Sequence, residues 1–441
     1  MQASFLPALN EYYRERGDQC RADVPRLEGI DMTKSLPSTA GLLITTVALA
    51  AVATAAPAAS ASAADAPDHA KVQKALDQAV ADGGVPGMVA EVRDHRGRWF
   101  GSAGVADTRT GRKRQPHERF RIGSAAKPFT ATVVLQLAAE GKLSLDDTVD
   151  TWLPGLVKGN NNDGGTITIR HLLNHTSGIF NYGNDKEEFA KLSGPAWLEH
   201  RYDTYTPEQL VKIGLRNPRS FEVPGDGFVY SNTGYILAGM IVEKVTGKTL
   251  ADEISRRIVR PLSLTGTYLP GKETKIRGPH PRHYSTLFAT EADAKVYDVT
   301  DQSATTGWAA GGVVSTVGDL NRFAGALLRG KLLPSAQQRE MFTMVKTGIK
   351  LPDGTWKDTW ITDTTYGTGV FSWELSCGVK VWGIGGAITG GFSFAMGTRD
   401  AKRMIATNMN IDQYGQHNSL DMAKTVIQAE FCPSGSKTRS K

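Results

Sequence analysis

Histidine, cysteine and acidic residues nowhere fall at the spacings that hold zinc. The only close histidine pair, His280 and His283, flanks Pro281-Arg282 in a loop-like stretch where solvated side chains are expected. A zinc hydrolase is therefore disfavoured, and no cofactor or metal is expected. Dense basic runs are missing too: 51 Lys and Arg against 45 Asp and Glu leave a formal charge of +6 over 441 residues. With no RNA-binding signature beside it, that balance does not make nucleic acid a partner. No internal repeat is present, so the chain is not an array of small stacked units. Cysteine is scarce, with only Cys20, Cys377 and Cys432.

Long apolar runs are equally scarce. The main one, AGLLITTVALAAVATAA from Ala40 to Ala56, carries no charge and leads to Ala61-Ser62-Ala63, an A-x-A cleavage pattern. Residues 32–63 therefore read as a signal peptide beginning at Met32, with Lys34 close behind. Residues 1–31, which carry both signs of charge and make a poor n-region, read as a mis-assigned leader. Secretion is expected, with a membrane anchor at 40–56 as the alternative if the segment stays uncleaved. Removing it takes Cys20 away and leaves an even pair. An oxidising compartment makes that pair one disulfide; two buried thiols are the other reading. Closing the separation of 55 (432 minus 377) stabilises a fold by roughly 4 kcal/mol on the chain-entropy view. The polar residues 433–441 are expected to be a disordered tail.

Within the mature chain, 64–432, HAKVQKALDQAVA has helical period, with Val72, Leu76 and Val80 on one face. MVAEVR and RWFGSAGVA follow as a strand pair around Asp94-His95-Arg96-Gly97. FRIGSAAKPFTATVVLQLAAEGKL predicts a strand-like start, then a helix with Phe129, Val133 and Leu137 on a buried stripe and Gly141 at its end. Residues 145 to 345 read mostly as helix and loop, with a Gly/Asn-rich turn at Gly159 to Gly165. Strand patterns return in KVWGI, GFSFAMGT and RMIATNMN, before a last helix SLDMAKTVIQAEF. The pattern is α+β: an antiparallel sheet supplied by both chain ends and flanked by helices, with an all-α region inserted between them.

Three motifs carry chemistry. In Ser124-Ala125-Ala126-Lys127 the i, i+3 spacing sets both side chains on one helical face, so the amine can stand beside a hydroxyl that is otherwise a poor nucleophile. The helix start also favours negative charge developing on a carbonyl oxygen. The spacing recurs at Ser434 to Lys437 in the tail, so the helix context is what singles out the first copy. Tyr230-Ser231-Asn232 follows the turn PGDGF; its tyrosine suits proton transfer and its amide suits a substrate amide or Lys127. A second such triplet, Tyr182-Gly183-Asn184, reads as a surface turn. The third is GIGGAITGG, Gly383 to Gly391, where dense glycine marks a hairpin turn or, beside the other motifs, an edge strand lining an acyl pocket. No serine has glycine two residues away on both sides, which closes the nucleophile-elbow route.

In this order the three motifs resemble the penicillin-recognising serine hydrolases: class C β-lactamases, exocellular DD-carboxypeptidases and related esterases. The resemblance covers nearly all of residues 70–432 and is nearest the soluble DD-carboxypeptidases through FRIGSAAKPF, LLNHTSGI, YSNTGYILAGMIVEKVTG, GGVVSTVGDLNRF, SCG and AEFC. It implies Ser124 as nucleophile, Lys127 and Tyr230 as the proton-handling pair, Asn232 as a substrate contact, and Cys377 to Cys432 as the disulfide. The third motif departs from the family. Where carboxypeptidases show His-Thr-Gly-Thr, this chain has Ile384-Gly385-Gly386-Ala387, and the position of their carboxylate-binding arginine falls on Phe371. A substrate carboxylate would lose its partners. The backbone N–H groups of Ser124 and Ala387, which the resemblance assigns to the oxyanion, survive such a change. Gly385-Gly386 matches family esterases.

The expectation is an exported, monomeric serine acyl hydrolase working on an uncharged ester or amide through acyl-Ser124, with no stable membrane partner once the signal is removed. The alternatives are a D-alanyl-D-alanine carboxypeptidase or β-lactamase, and an acylatable sensor that does not turn over.

Overall fold

The computed structural model describes residues 69–433, except 292, 352–354 and 413–417. The expected leader, signal peptide and the second Ser-x-x-Lys copy lie outside these residues. Helix α1 (Ala70–Ala81) buries Val72, Ala75, Leu76 and Ala79, the i, i+3, i+4, i+7 face of an amphipathic helix. It leads into β1 (Gly87–Asp94) and β2 (Gly97–Asp107), a hairpin whose last pair is Asp94 with Gly97. The carboxylate of Asp94 closes the turn by accepting from the Arg96 N–H at 2.8 Å. A short β3 (Arg112–Lys113) completes this end.

The other end supplies β4 (Val345–Lys346), β5 (Thr364–Tyr366), β6 (Phe371–Glu374), β7 (Lys380–Ile388), β8 (Gly391–Gly397) and β9 (Met404–Met409). The nine strands run in the order β4-β5-β6-β7-β8-β9-β1-β2-β3, paired antiparallel throughout. The two chain ends meet where β9 pairs β1, from Met88 with Met409 to Arg93 with Met404. Alternation sorts the side chains. Met88, Ala90 and Val92 join the core under α1 and α5 (Ser419–Phe431), while Val89 joins the core on the opposite face. The sheet is therefore covered on both sides.

Between the ends lie short helices and two-residue strands, together with three long helices that matter for the site. These are α2 (Lys127–Ala139), α3 (Asn232–Thr246) and α4 (Val317–Leu328). α2 is buried nearly all round, not on a single stripe, because it lies in the interior with α4 against it; Phe129 and Phe323 stack at 3.7 Å. It ends as its sequence predicts. Gly141 takes φ +68° and donates to Ala138, while Lys142 donates to Leu137, which satisfies the last carbonyls.

Two expectations need correction. β4, β5 and β6 were not legible as strands, being two to four residues long and too short for an alternation to show. The glycine-rich β7 is an interior strand, between β6 and β8, rather than an edge. Its pairing with β6 nevertheless stops at Gly383, so residues 384–388 have a strand neighbour only in β8. Edge-like character is confined to that half.

Cys377 and Cys432 are joined, with Cα atoms 5.9 Å apart, and tie the β6–β7 turn to the end of α5. Among the described residues no helix is long and apolar enough to cross a membrane. Replacing both cysteines by serine is expected to lower the unfolding free energy by roughly 2–4 kcal/mol, read as a fall in the urea midpoint. An unchanged midpoint would show that the crosslink adds nothing.

Candidate active site

Ser124 sits one step earlier than a helix start. It lies in a 3₁₀ turn, Gly123–Ala126, and the α-helix begins at Lys127. The i, i+3 relation survives because residues three apart eclipse one another in a 3₁₀ turn. The backbone of β7 passes directly against this turn. A Cβ on Gly386 would lie 2.0 Å from the Ile122 oxygen and 2.8 Å from the Ser124 nitrogen. One on Gly123, at φ +53°, would lie 2.3 Å from the Ala387 oxygen. Both positions need glycine because two backbones occupy the space a side chain would take. The same contact brings the Ser124 and Ala387 backbones to one end of a cavity of about 210 Å³.

Lys127 is 1% exposed, and its Nζ has three oxygen neighbours: Ser124 Oγ at 3.1 Å, Asn232 Oδ1 at 2.7 Å and the Ala310 carbonyl at 2.9 Å. Burial holds its ammonium well below the ordinary lysine value. A neutral amine has two hydrogens and one lone pair. The amide and backbone carbonyls can only accept, so they take the hydrogens and the lone pair faces the Ser124 hydroxyl. In that neutral form Lys127 can accept a proton from Ser124.

Tyr230 is buried with its ring 4.7 Å from Lys127 Nζ and stacked on Trp360 at 5.8 Å. Burial pushes its hydroxyl well above the ordinary tyrosine value, and Tyr366 adds to this. The Ser124 hydroxyl pulls the other way, without the alignment of a full hydrogen bond. At neutral pH it is a phenol with a proton to give. His175 holds it from behind. The His175 carbonyl accepts from Val229 N–H at 3.0 Å and its Nδ1 accepts from Ser231 N–H at 3.1 Å, so the residues on both sides of Tyr230 are tied to one histidine. Its ring lies 4.2 Å from the Tyr230 ring. Burial holds its imidazole pKa well below the ordinary histidine value.

All the expected site residues except Gly385 and Gly386 lie on the cavity wall or, for Lys127, directly behind it. Gly386 abuts the Ser124 turn, and a Cβ on Gly385 would meet Phe394 at 2.5 Å. The wall also holds Tyr182 and Gly183, so that triplet is not a surface turn: the Tyr182 hydroxyl bonds the Thr306 carbonyl and its ring is buried. Phe189, Leu192, Trp197 and Phe288 form an apolar side. Gln302 holds the rim by donating to the Thr389 carbonyl at 2.9 Å. Phe371 stands edge-on to Trp360 in the aromatic core beneath Tyr230, where no carboxylate partner can form. Among the described residues no Lys, Arg or His lines the cavity, and Asp412 is the charged residue on its wall. Sequence reasoning missed His175, Asp412 and the aromatic wall, because none sits in a motif with a chemical signature. His283 was expected in solvent and is instead buried near Arg121. Among the described residues no group of three or more potential metal ligands occurs.

A serine and a buried lysine on one turn, a tyrosine opposite and a strand backbone beside them define a serine acyl-transfer site on a mixed helix and antiparallel-sheet fold. Residues 72–427 match the Beta-lactamase family, and the chain belongs to it. It is 30% identical to penicillin-binding protein 4 of Amycolatopsis lactamdurans over 337 residues, 74% of this chain and 81% of that protein. With penicillin-binding protein 4* of Bacillus subtilis it shares 29% identity over 258 residues, 56% of this chain, and the match spans about half (52%) of that protein's length. Among solved structures it resembles a D-stereospecific amidohydrolase from Streptomyces sp., with TM-score 0.74 and 45% identity, covering 83% of this chain and 99% of that one.

Gly386→Ala is expected to slow acylation of Ser124 by about 10²-fold or more while the protein stays folded, since a misplacement near 1 Å suffices for that loss. Burst kinetics with a chromogenic ester, alongside circular dichroism, would check it.

Proposed function

We propose that the chain is an exported serine acyl hydrolase that cleaves an ester or amide through an acyl-Ser124 intermediate, with derivatives of D-amino acids as the substrate class. The observation that carries this reading is the buried Lys127 amine 3.1 Å from Ser124 Oγ, its pKa held well below the ordinary lysine value by burial. In the proposed cycle Lys127 takes the hydroxyl proton as Oγ bonds to the substrate carbonyl carbon. The N–H groups of Ser124 and Ala387 receive the oxyanion, and Asn232 orients the substrate. Tyr230 passes its proton to the departing amine or alkoxide as the C–N or C–O bond breaks, and regains one from Lys127 by way of the site's hydroxyls. Water then repeats the sequence in reverse and frees Ser124.

The D-amino acid reading is supported by the likeness to the Streptomyces D-stereospecific amidohydrolase and by the missing carboxylate partner at Phe371. D-Ala-D-Ala peptides and penicillins both bring a carboxylate, and among the described residues the cavity wall has no cation to meet it. Secretion as a monomer is part of the proposal, supported by the Ala40–Ala56 run and the Ala61-Ser62-Ala63 site; amino-terminal sequencing and sedimentation of the secreted form test it.

The purified protein is expected to turn over p-nitrophenyl acetate and a D-amino acid amide, to give an adduct mass on Ser124, and to lose both in Ser124→Ala. Ester turnover that persists in Ser124→Ala would sink the mechanism. Efficient release of D-Ala from a diacyl-D-Ala-D-Ala peptide would favour the carboxypeptidase instead, and a stable adduct without turnover the sensor. The pH profile has a definite sign. Lys127 works neutral, so kcat/KM should rise through a value well below the ordinary lysine pKa of about 10.4 and be lost as pH falls. Tyr230 works protonated, and its raised pKa means no alkaline loss from that group before about pH 10. Lys127→Arg, which cannot lose its proton, should be inactive at every pH.

A further inference from the structure

Tyr230 gives up the proton in the proposed cycle, yet among the described residues its buried hydroxyl has no aligned hydrogen-bond partner. Its reach toward a leaving group is therefore set through its backbone and its ring. His175 bears on both. The His175 carbonyl accepts from Val229 N–H at 3.0 Å and its Nδ1 from Ser231 N–H at 3.1 Å. One tether lies on each side of Tyr230, and together they fix the direction of its Cα–Cβ bond. The imidazole also lies 4.2 Å from the phenol ring, closer than to the rings of Tyr366 at 4.8 Å or Tyr235 at 5.3 Å. Helix geometry alone would give this place to glycine. His175 follows the short helix Ile169–Leu173 and its cap Asn174, takes φ +63°, and precedes Thr176, whose N–H returns to the His171 carbonyl at 3.0 Å. That is a Schellman end, whose left-handed residue is ordinarily Gly or Asn. Glycine would end the helix with less strain, but it has neither a ring nor an Nδ1. The other ring nitrogen, Nε2, is buried with no hydrogen-bond partner among the described residues, a further cost of an imidazole here.

We infer that His175 is a positioning residue for proton transfer by Tyr230: its carbonyl and Nδ1 clamp the chain on both sides of the tyrosine so that the phenol meets the leaving group. This rests on the acyl hydrolase reading and deepens it. In the step concerned, the bond from the carbonyl carbon to the leaving oxygen breaks and the Tyr230 O–H proton passes to that oxygen. The alcohol departs, and the tyrosinate regains a proton from the Lys127 ammonium. The consequence is selective. A p-nitrophenolate is a stable anion and departs without a proton, whereas an alkoxide needs one. A misplaced Tyr230 therefore costs little for the first and most for the second, while Lys127 and the backbone N–H groups serve both alike. If His175 did no more than end its helix, its loss would lower the folded fraction and with it the rate for every ester equally.

The test compares kcat/KM for p-nitrophenyl, phenyl and ethyl acetate, which share one acyl group, with circular dichroism on every variant. The proteins are the unaltered chain, Ser124→Ala, Tyr230→Phe, His175→Gly, His175→Asn and the double variant His175→Gly with Tyr230→Phe. Gly and Asn both tolerate the left-handed backbone, and only Asn carries an oxygen that can accept from Ser231 N–H. Tyr230→Phe and His175→Gly should each lower p-nitrophenyl acetate turnover by less than about tenfold and ethyl acetate turnover by about 10²-fold or more, with phenyl acetate between. His175→Asn should stay within about fivefold of the unaltered protein on all of them, and His175→Gly added to Tyr230→Phe should cost less than about threefold more. Where the space left by Gly unfolds the protein, His175→Phe fills it and carries the same expectation. An equal loss on every ester in His175→Gly, losses that multiply in the double variant, or Asn as damaging as Gly would overturn the assignment. Each of these leaves the hydrolase reading standing. Absence of Ser124-dependent ester hydrolysis in the unaltered protein would bring down the hydrolase reading itself, and the assignment with it.

Discussion

A lysine amine kept dry beside a serine hydroxyl is the constraint on which the rest of the site depends. An ammonium in that position would be costly, so the fold stabilises the neutral form and supplies two carbonyl oxygens to occupy its hydrogens. Doing so requires elements far apart in the chain. Asn232 lies 105 residues from Lys127 and Ala310 lies 183 away. The all-round burial of α2 follows from this, because a helix with a solvated face could not hide its first residue.

The second constraint is backbone against backbone. The paired half of β7 anchors the strand in the sheet, and its far half is free of β6 and can lie against the Ser124 turn. Glycine at 123 and 386 permits that approach. In place of a row of hydroxyl and cationic side chains, this chain has Gly385-Gly386 above and an aromatic cluster of Phe371, Trp360 and Tyr230 below. The consequence is that the β7 backbone lies against the Ser124 turn while an aromatic cluster lies below.

What was legible in the sequence was local. Ser124 and Lys127 are three residues apart, so helical geometry alone puts them together, and α1, the β1–β2 hairpin and α5 follow from periodicity and turn residues within a dozen positions. The short strands before β6 were not legible, since two to four residues cannot show a period. His175 was not legible either: it sits inside LLNHTSGI with an ordinary composition, and its hold on the Tyr230 backbone spans 56 residues. Tyr182 was misjudged for the same reason. A Tyr-Gly-Asn turn has the same residues whether it faces solvent or a cavity, and only the packing of distant segments decides.

The sequence by itself determined the pairing of Ser124 with Lys127, the α+β class and the absence of a basic residue at Phe371, because these depend on residue identity and short spacing. Only the tertiary structure decided the lowered pKa values of Lys127 and of His175 behind Tyr230, the interior place of β7 and the presence of Asp412 on the cavity wall. Burial sets the first two and strand pairing and chain packing the others, and all arise only when segments distant in sequence come together.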